Sequence, residues 1–318
     1  MSDLSVVVKD LYYSFGRGKE VLSGVNFTIE RGGITALLGL NGAGKTTLLR
    51  AIMGLIRPRA GTIEVLGNRL GPRPPAPELL ARIGYVPERP FTAERMTPRD
   101  LLRLVRALHP RWDGAMVGRY LRIFNIPLDR SVQELSAGTK AQLGLTLAMA
   151  GHPELLLLDE PTLGLDPLHR YQYFQLLLEE AIARELTVLI TSHDLHQIER
   201  MADQIAILHG GRIIVAESLD GLKGRLKRIR VGTMPSTTFK AHLAGLPGVM
   251  EVEEEEGGYL LTVTADPQGL AAGLYSLPNV TGVQIIDLSL EEIFLFLCGG
   301  LRPDGQRGER EEETPVDI

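Results

Sequence analysis

The chain of 318 residues has room for one large α/β domain and a smaller one, and 44% hydrophobic with 23% charged residues is the composition of a packed protein, which excludes general disorder. A formal charge of -5 and a pI near 5.9 exclude the basic excess of a general nucleic-acid binder, so no nucleic-acid partner is expected. No apolar run approaches the roughly 20 residues that cross a bilayer; the greasiest, Leu155 to Leu158, ends in Asp159 and Glu160, so a membrane would have to be spanned by a partner.

In chain order, Ser5 to Val8, Val25 to Ile29 and Ile34 to Leu38 are β-branched runs ended by Gly or charge and predict strands. A Gly-rich turn after Gly39 leads into a helix over Lys45 to Met53, with Leu48, Leu49, Ile52 and Met53 at helical spacing. The proline cluster in Gly71 to Pro77 predicts a surface connection before a short strand at Ile83 to Val86. From Pro98 to Phe124 the pattern is helical, with Leu101, Leu104, Val105 and Leu108 on one face, and predicts a helical insertion. Leu155 to Leu158 and Val188 to Thr191 are short apolar runs flanked by helical segments, the pattern of buried parallel strands.

Beyond Gly221 the character changes. Candidate strands at Lys227 to Val231, Val249 to Glu255, Tyr259 to Thr264 and Thr281 to Asp287 are separated by helical stretches near Phe239 and Leu270. That βαββαβ order predicts a small ferredoxin-like α+β domain. The acidic run Glu251 to Glu256 is read as a strand end and solvated turn. Cys298 has no second cysteine to pair with and the start Met1 to Ser5 lacks a secretory pattern, so a reducing cytoplasm is the expected setting. The expected division is a nucleotide-binding domain over 1–222 with a helical subdomain at about 89–150, an accessory domain over 223–300, and a flexible tail over 301–318.

Gly39-Leu40-Asn41-Gly42-Ala43-Gly44-Lys45-Thr46 fits the phosphate-cradling P-loop and stands between a strand and a helix, as that chemistry requires. Its glycines let successive N–H groups turn toward phosphate oxygens, and the helix N-terminus, through Thr47, adds the positive end of its dipole. Lys45 supplies charge to the β- and γ-phosphates of ATP, and the Thr46 hydroxyl is a ligand for Mg²⁺. Leu155-Leu156-Leu157-Leu158-Asp159-Glu160 then delivers two carboxylates at a strand's C-terminal end. Asp159 is the candidate Mg²⁺ holder, and Glu160 the candidate general base.

Leu135-Ser136-Ala137-Gly138-Thr139, upstream of that pair, resembles the signature motif of the ABC ATPase family; alone it would be only a helix N-cap. The resemblance covers about Val6 to Gly221 and implies a P-loop fold of ABC type, a mixed sheet core plus a helical subdomain. It also implies a dimer in which Ser136, Ala137 and Gly138 meet the γ-phosphate held by the second ATP-binding subunit, the same chain or a related one. Gly164-Leu165-Asp166 resembles the D-loop, and Thr191-Ser192-His193-Asp194 the switch-histidine motif, which assigns His193 to the γ-phosphate. Phe15 matches the family's adenine-stacking aromatic, with Tyr12 or Tyr13 as the alternative.

The chain departs from the family pattern in places. Glu88 follows Tyr85-Val86-Pro87 where Gln is usual; its carboxylate can still reach Mg²⁺ but brings extra negative charge. In the signature Ala137 and Thr139 replace Gly and Gln, and Gln142 stands where a basic residue is common. Pro110-Arg111-Trp112-Asp113 and the ending Leu288 to Phe294 are similar to export-type members whose permeases are separate chains. A transmembrane permease partner and a place on the cytoplasmic face of the membrane are therefore implied. Two other readings are a non-transport ABC ATPase and a nucleotide sensor without useful turnover; a single cassette without heptads argues against the first, and intact Glu160 and His193 against the second.

Overall fold

The computed structural model describes residues 3–16, 18–88, 95–234, 236–264 and 266–299. These fall into two compact units: one runs to Asp194 and includes Arg200–Ala216, and the other joins Leu195–Glu199 to the chain from Glu217. The expected tail over 301–318 and the start of the helical subdomain at 89–94 lie outside the described residues.

The first unit begins with two long strands, β1 (Leu4–Ser14) and β2 (Glu20–Glu30), paired antiparallel. Both outrun the β-branched runs Ser5 to Val8 and Val25 to Ile29 that predict them, because pairing continues past the charged and Gly positions that end those runs, through a register shift between Val8 and Leu11. Asp10 stands inside that irregularity at φ 47, its backbone N–H donating to Asn26 Oδ1 at 3.1 Å. The buried strand β3 (Ile34–Leu38) leads through the Gly-rich turn to helix α1 (Lys45–Ile52). Next come β4 (Ala60–Val65) and the two-residue β5 (Asn68–Arg69), completing a sheet of order β2-β1-β4-β5. The proline cluster ends in a single helical turn, α2 (Pro77–Leu80), with a proline at its start, where no N–H is needed. Strand β6 (Ile83–Val86) follows.

The expected helical insertion is two helices, α3 (Pro98–Leu108) and α4 (Gly114–Ile123). They break at His109–Asp113, where Pro110 cannot donate to a helical ladder and Asp113 caps the second helix through Met116 N–H. The signature helix α5 (Ala137–Met149) leads to β7 (Leu155–Asp159), α6 (Pro167–Arg184) and β8 (Thr187–Thr191). The short α7 (Leu195–Glu199) belongs to the second unit; β9 (Gln204–His209) and β10 (Arg212–Ser218) then form a hairpin through Gly210-Gly211, both at positive φ. The main sheet has the order β10-β9-β3-β8-β7-β6, and the pairs β9/β3, β3/β8, β8/β7 and β7/β6 are parallel, as expected. Strands β3, β7 and β8 are buried along their whole length, which is why they read as unbroken apolar runs. The core between the two sheets is closed by Val6, Phe27, Leu37, Leu48, Ile63 and Leu157.

In the second unit α8 (Leu219–Arg225) precedes β11 (Lys227–Gly232), α9 (Thr237–Ala244), β12 (Val249–Glu255), β13 (Gly258–Val263), α10 (Pro267–Tyr275), β14 (Gly282–Asp287) and α11 (Leu290–Gly299). The sheet order is β12-β13-β11-β14 with every neighbouring pair antiparallel, the split βαβ arrangement that the βαββαβ order predicts. Its core gathers Ile229, Val231, Leu243, Tyr259, Leu261 and Leu274. Among the described residues no helix is long and apolar enough to cross a membrane.

Candidate active site

The turn from Gly39 to Gly44 has its shape because side chains are excluded from it. A Cβ at Gly39 would lie 2.4 Å from the Leu208 carbonyl oxygen on β9, and one at Gly44 would lie 2.9 Å from Leu22 Cδ2. Gly44 also stands at φ 109, a conformation open to glycine. As N-cap of α1 it offers no side-chain acceptor, so the first N–H groups of that helix are left for an anion. Leu40, Asn41 and Gly42 are exposed along the turn, and Ala43 N–H closes it on the Leu40 carbonyl at 3.1 Å. Lys45 Nζ donates to the Gly39 carbonyl at 2.7 Å and stands 4.0 Å from Glu160 Oε1. Thr47 is buried beneath the turn.

Strand β7 carries Asp159 into the interior at 1% exposure. Its Oδ1 accepts from the Thr46 hydroxyl at 3.1 Å and from the Thr191 hydroxyl at 3.0 Å. Its Oδ2 is buried with no hydrogen-bond partner among the described residues. Burial pushes the Asp159 carboxyl above its ordinary range, against the two hydroxyls, and negative Glu88 and Glu160 add to the shift. A buried oxygen without a donor, beside the hydroxyl of Thr46, is a hard-oxygen position that a divalent cation fits. Among the described residues no three His, Cys, Asp or Glu side chains gather into a metal cage. Glu88 is exposed, and its charge acts on the Asp159 carboxyl; Thr46, Asp159 and Glu160 are the residues the hydrogen bonds and ion pair bring together.

Glu160 follows the strand at φ 47, a left-handed conformation uncommon for a residue with a side chain. Its N–H is held by the Thr191 hydroxyl at 2.9 Å. Its Oε2 accepts from His193 N–H at 3.2 Å and lies 2.8 Å from His193 Nδ1. A carboxylate only accepts, so this contact puts the proton on Nδ1 and leaves Nε2 of the 60% exposed imidazole to face outward. Oε2 is thereby engaged, and Oε1, toward Lys45, is the oxygen left for a water. Thr191 had a place in the motif but no role in the sequence reading; the structure makes its fully buried hydroxyl the bridge between Asp159 and Glu160. The one signal was a polar residue closing the apolar run 188–190.

Phe15 is 58% exposed and meets Tyr13 edge to face at 5.1 Å, whereas Tyr13 packs on the core and the Tyr12 hydroxyl lies against Gly24. Of the three aromatics Phe15 is the one with a free face. Ser136 caps α5 by accepting from Thr139 N–H at 3.1 Å. A Cβ on Gly138 would lie 2.9 Å from Leu165 Cδ2, so Ser136, Ala137 and Gly138 pack beside the Gly164 turn of their own chain. Among the described residues no hydrogen bond or ion pair joins them to the P-loop of the same chain. Asp166 caps α6 by accepting from His169 N–H at 3.0 Å and pairs with the His169 ring; that N–H is the main reason its carboxyl is held below the ordinary range.

The profile of the family described as ABC transporter matches residues 22–163. The ABC transporter ATP-binding protein YtrB of Bacillus subtilis is 33% identical over 287 residues, covering 90% of this chain and 95% of that protein. The Nod factor export ATP-binding protein I of Rhizobium sp. strain N33 is 32% identical over 317 residues, covering 94% and 98%. A solved structure of an ATP-binding subunit of an ABC transporter is 34% identical, with a TM-score of 0.60 over 69% of this chain and 92% of that one.

Proposed function

The chain belongs to the ABC transporter ATP-binding protein family, and from that premise we propose that two such subunits close over two ATP molecules and drive export through a separate transmembrane permease. It is an ATP-binding and ATP-hydrolysing subunit of an ABC transporter. The export direction is supported by the likeness to a Nod factor export ATP-binding protein.

The observation that carries the chemistry is the gathering of Lys45, Thr46, Asp159, Glu160 and His193 around one point. Lys45 leaves the Gly39 carbonyl and binds the β- and γ-phosphates, while the N–H groups of residues 42–47 surround them. Thr46 and Asp159 would hold Mg²⁺, with Glu88 as a further candidate ligand, and the ion would supply positive charge to the phosphate oxygens. Glu160 Oε1 takes the proton of a water whose oxygen attacks the γ-phosphorus. The bond from that phosphorus to its bridging oxygen breaks, and ADP leaves with the electron pair. His193 holds Glu160 through Nδ1 and turns Nε2 to the γ-phosphate. Phe15 stacks on adenine. Ser136, Ala137 and Gly138 meet the γ-phosphate held by the second subunit, with Asp166 at the same junction. The cassette extends over 1–222, its helical subdomain about 89–150 receives the permease on the cytoplasmic face, and 223–300 is an accessory domain.

The test is capture of the Glu160→Gln protein from its native membranes with Mg²⁺ and ATP. Turnover is expected to fall by about 10²-fold or more with ATP binding retained, and a multi-span membrane protein to co-purify. Retained turnover, or capture of ribosomes without any membrane protein, overturns the reading.

A further inference from the structure

Arg170 lies one turn into α6, its N–H bonded to the Asp166 carbonyl at 3.0 Å. Its guanidinium faces back across the first unit and grips two motifs at once. Nη1 donates to Asp194 Oδ2 at 2.6 Å, and Nη2 donates to the Leu165 carbonyl at 3.2 Å. Asp194 is the neighbour of His193 and is itself anchored, its N–H donating to the Ser192 hydroxyl at 3.0 Å. Leu165 is the residue whose side chain packs over Gly138. A continuous line of contacts thus runs from the signature turn through Leu165, Arg170 and Asp194 to His193 and the carboxylate of Glu160.

We propose that Arg170 is a positioning residue for hydrolysis: it locks the turn at Leu165 to the segment bearing His193, so that Glu160 is held for catalysis only while the signature and the turn at Leu165 are packed together. This rests on the reading of Glu160 and His193 as the hydrolytic pair. Three features argue for it over an ordinary ion pair. The planar fork spans a carboxylate and a carbonyl that one ammonium could not bridge together. The guanidinium is drawn out of solvent into this fork, with Nε buried and without a partner among the described residues. Both anchors are backbone-adjacent to functional motifs rather than to the core. Arg170 touches no reacting atom, so its effect passes through His193, and coupling of that kind is established by mutant cycles rather than by proximity.

The experiment measures phosphate release from ATP and Mg²⁺ by the full chain, together with ATP binding and the thermal midpoint. Arg170→Ala is expected to lower kcat about tenfold with KM for ATP changed by less than about twofold, because a small misplacement at a reacting centre costs turnover rather than binding. Arg170→Lys, which keeps the charge near Asp194 but loses the Leu165 carbonyl, and Asp194→Asn, which keeps the fork, are each expected to lower kcat alone. In a His193→Ala background Arg170→Ala is expected to add less than about twofold, since both act through one group. Should Arg170→Ala fail to fold, the Lys and Asn variants decide. Unchanged kcat in those variants, or the same loss with and without His193, overturns the proposal. Glu160→Gln separates the layers: if it is inactive while the Arg170 variants are normal, only Arg170's role falls; if it turns over normally, the hydrolytic pair and this proposal fall together.

Discussion

Replacing Asp159 by Asn isolates what the buried carboxylate costs and what it does. Its burial outweighs two hydroxyl donors and leaves the carboxyl above its ordinary range, so the folded chain holds the charged form at a greater cost than the unfolded chain does. The two bonds from Thr46 and Thr191 weaken when the acceptor loses its charge, from about 1.5–3 to about 1 kcal/mol each. Against that, the penalty for an unpaired buried ion amounts to several kcal/mol. The direction of the shift settles the sign in favour of Asn, so the variant is expected to have the higher Tm, on a scale where about 1 kcal/mol corresponds to about 2–4 °C for a unit of this size. Because the folded-state pKa is raised, stability from this group is full below the ordinary carboxylate range and is lost as pH rises through the folded value. The advantage of Asp159→Asn therefore opens above that range and closes in acid. Thermal unfolding at neutral pH, first without metal and then with Mg²⁺ and ATP, checks both halves: the variant is expected to melt higher without ligand and to lose most of the stabilisation by Mg²⁺. A metal-free variant that melts more than about 2 °C lower, or one that keeps the full response to Mg²⁺, would refute this account of the unpartnered Oδ2.

Gly39→Ala places a methyl group 2.4 Å from a backbone carbonyl that cannot rotate away, so the turn must deform; ATP affinity is expected to fall at least tenfold, read by fluorescence titration, with stability lowered by about 1–3 kcal/mol. Asp113→Ala removes the cap of α4 and the acceptor of a 3.1 Å contact from His152 Nε2, at a cost of about 1 kcal/mol in the urea midpoint at neutral pH. Met116 N–H first, and then His152 and Arg184, hold the Asp113 carboxyl below its ordinary range. Its contribution is therefore present above that range and lost as pH falls through the folded value, so the gap between wild type and variant is expected to narrow in acid.

The motifs were legible because their chemistry is local. A P-loop needs glycines, a lysine and a hydroxyl at fixed short spacings, and a buried strand ending in Asp159-Glu160 is visible as an apolar run that stops at two carboxylates. The strands β3, β7 and β8 were legible for the same reason, as was the βαββαβ order of the second unit. The full lengths of β1 and β2 were not, since the charged residues and Gly that end their β-branched runs are carried in the sheet by pairing, through a register shift near Asp10. β4, β9 and β10 were also missed: the hairpin of β9 and β10 is stabilised by pairing and by Gly210-Gly211 rather than by a local pattern. The break at Pro110 was hidden because α3 and α4 each keep their own apolar face.

By itself, then, the sequence determined which motifs are present, which residue types they carry, and in what order they come along the chain. Only the tertiary structure decided which atoms meet. It left Phe15 exposed while Tyr13 packs on the core, and it buried Oδ2 of Asp159 without a hydrogen-bond partner among the described residues. It brought Thr46 to Asp159 across 113 positions and Thr191 to both carboxylate residues, and it placed Arg170 between Leu165 and Asp194. The reason is physical: a hydrogen bond between distant segments depends on how strands are ordered in the sheet, and that order follows from burying apolar faces everywhere in the chain at once, not from the residues that make the bond.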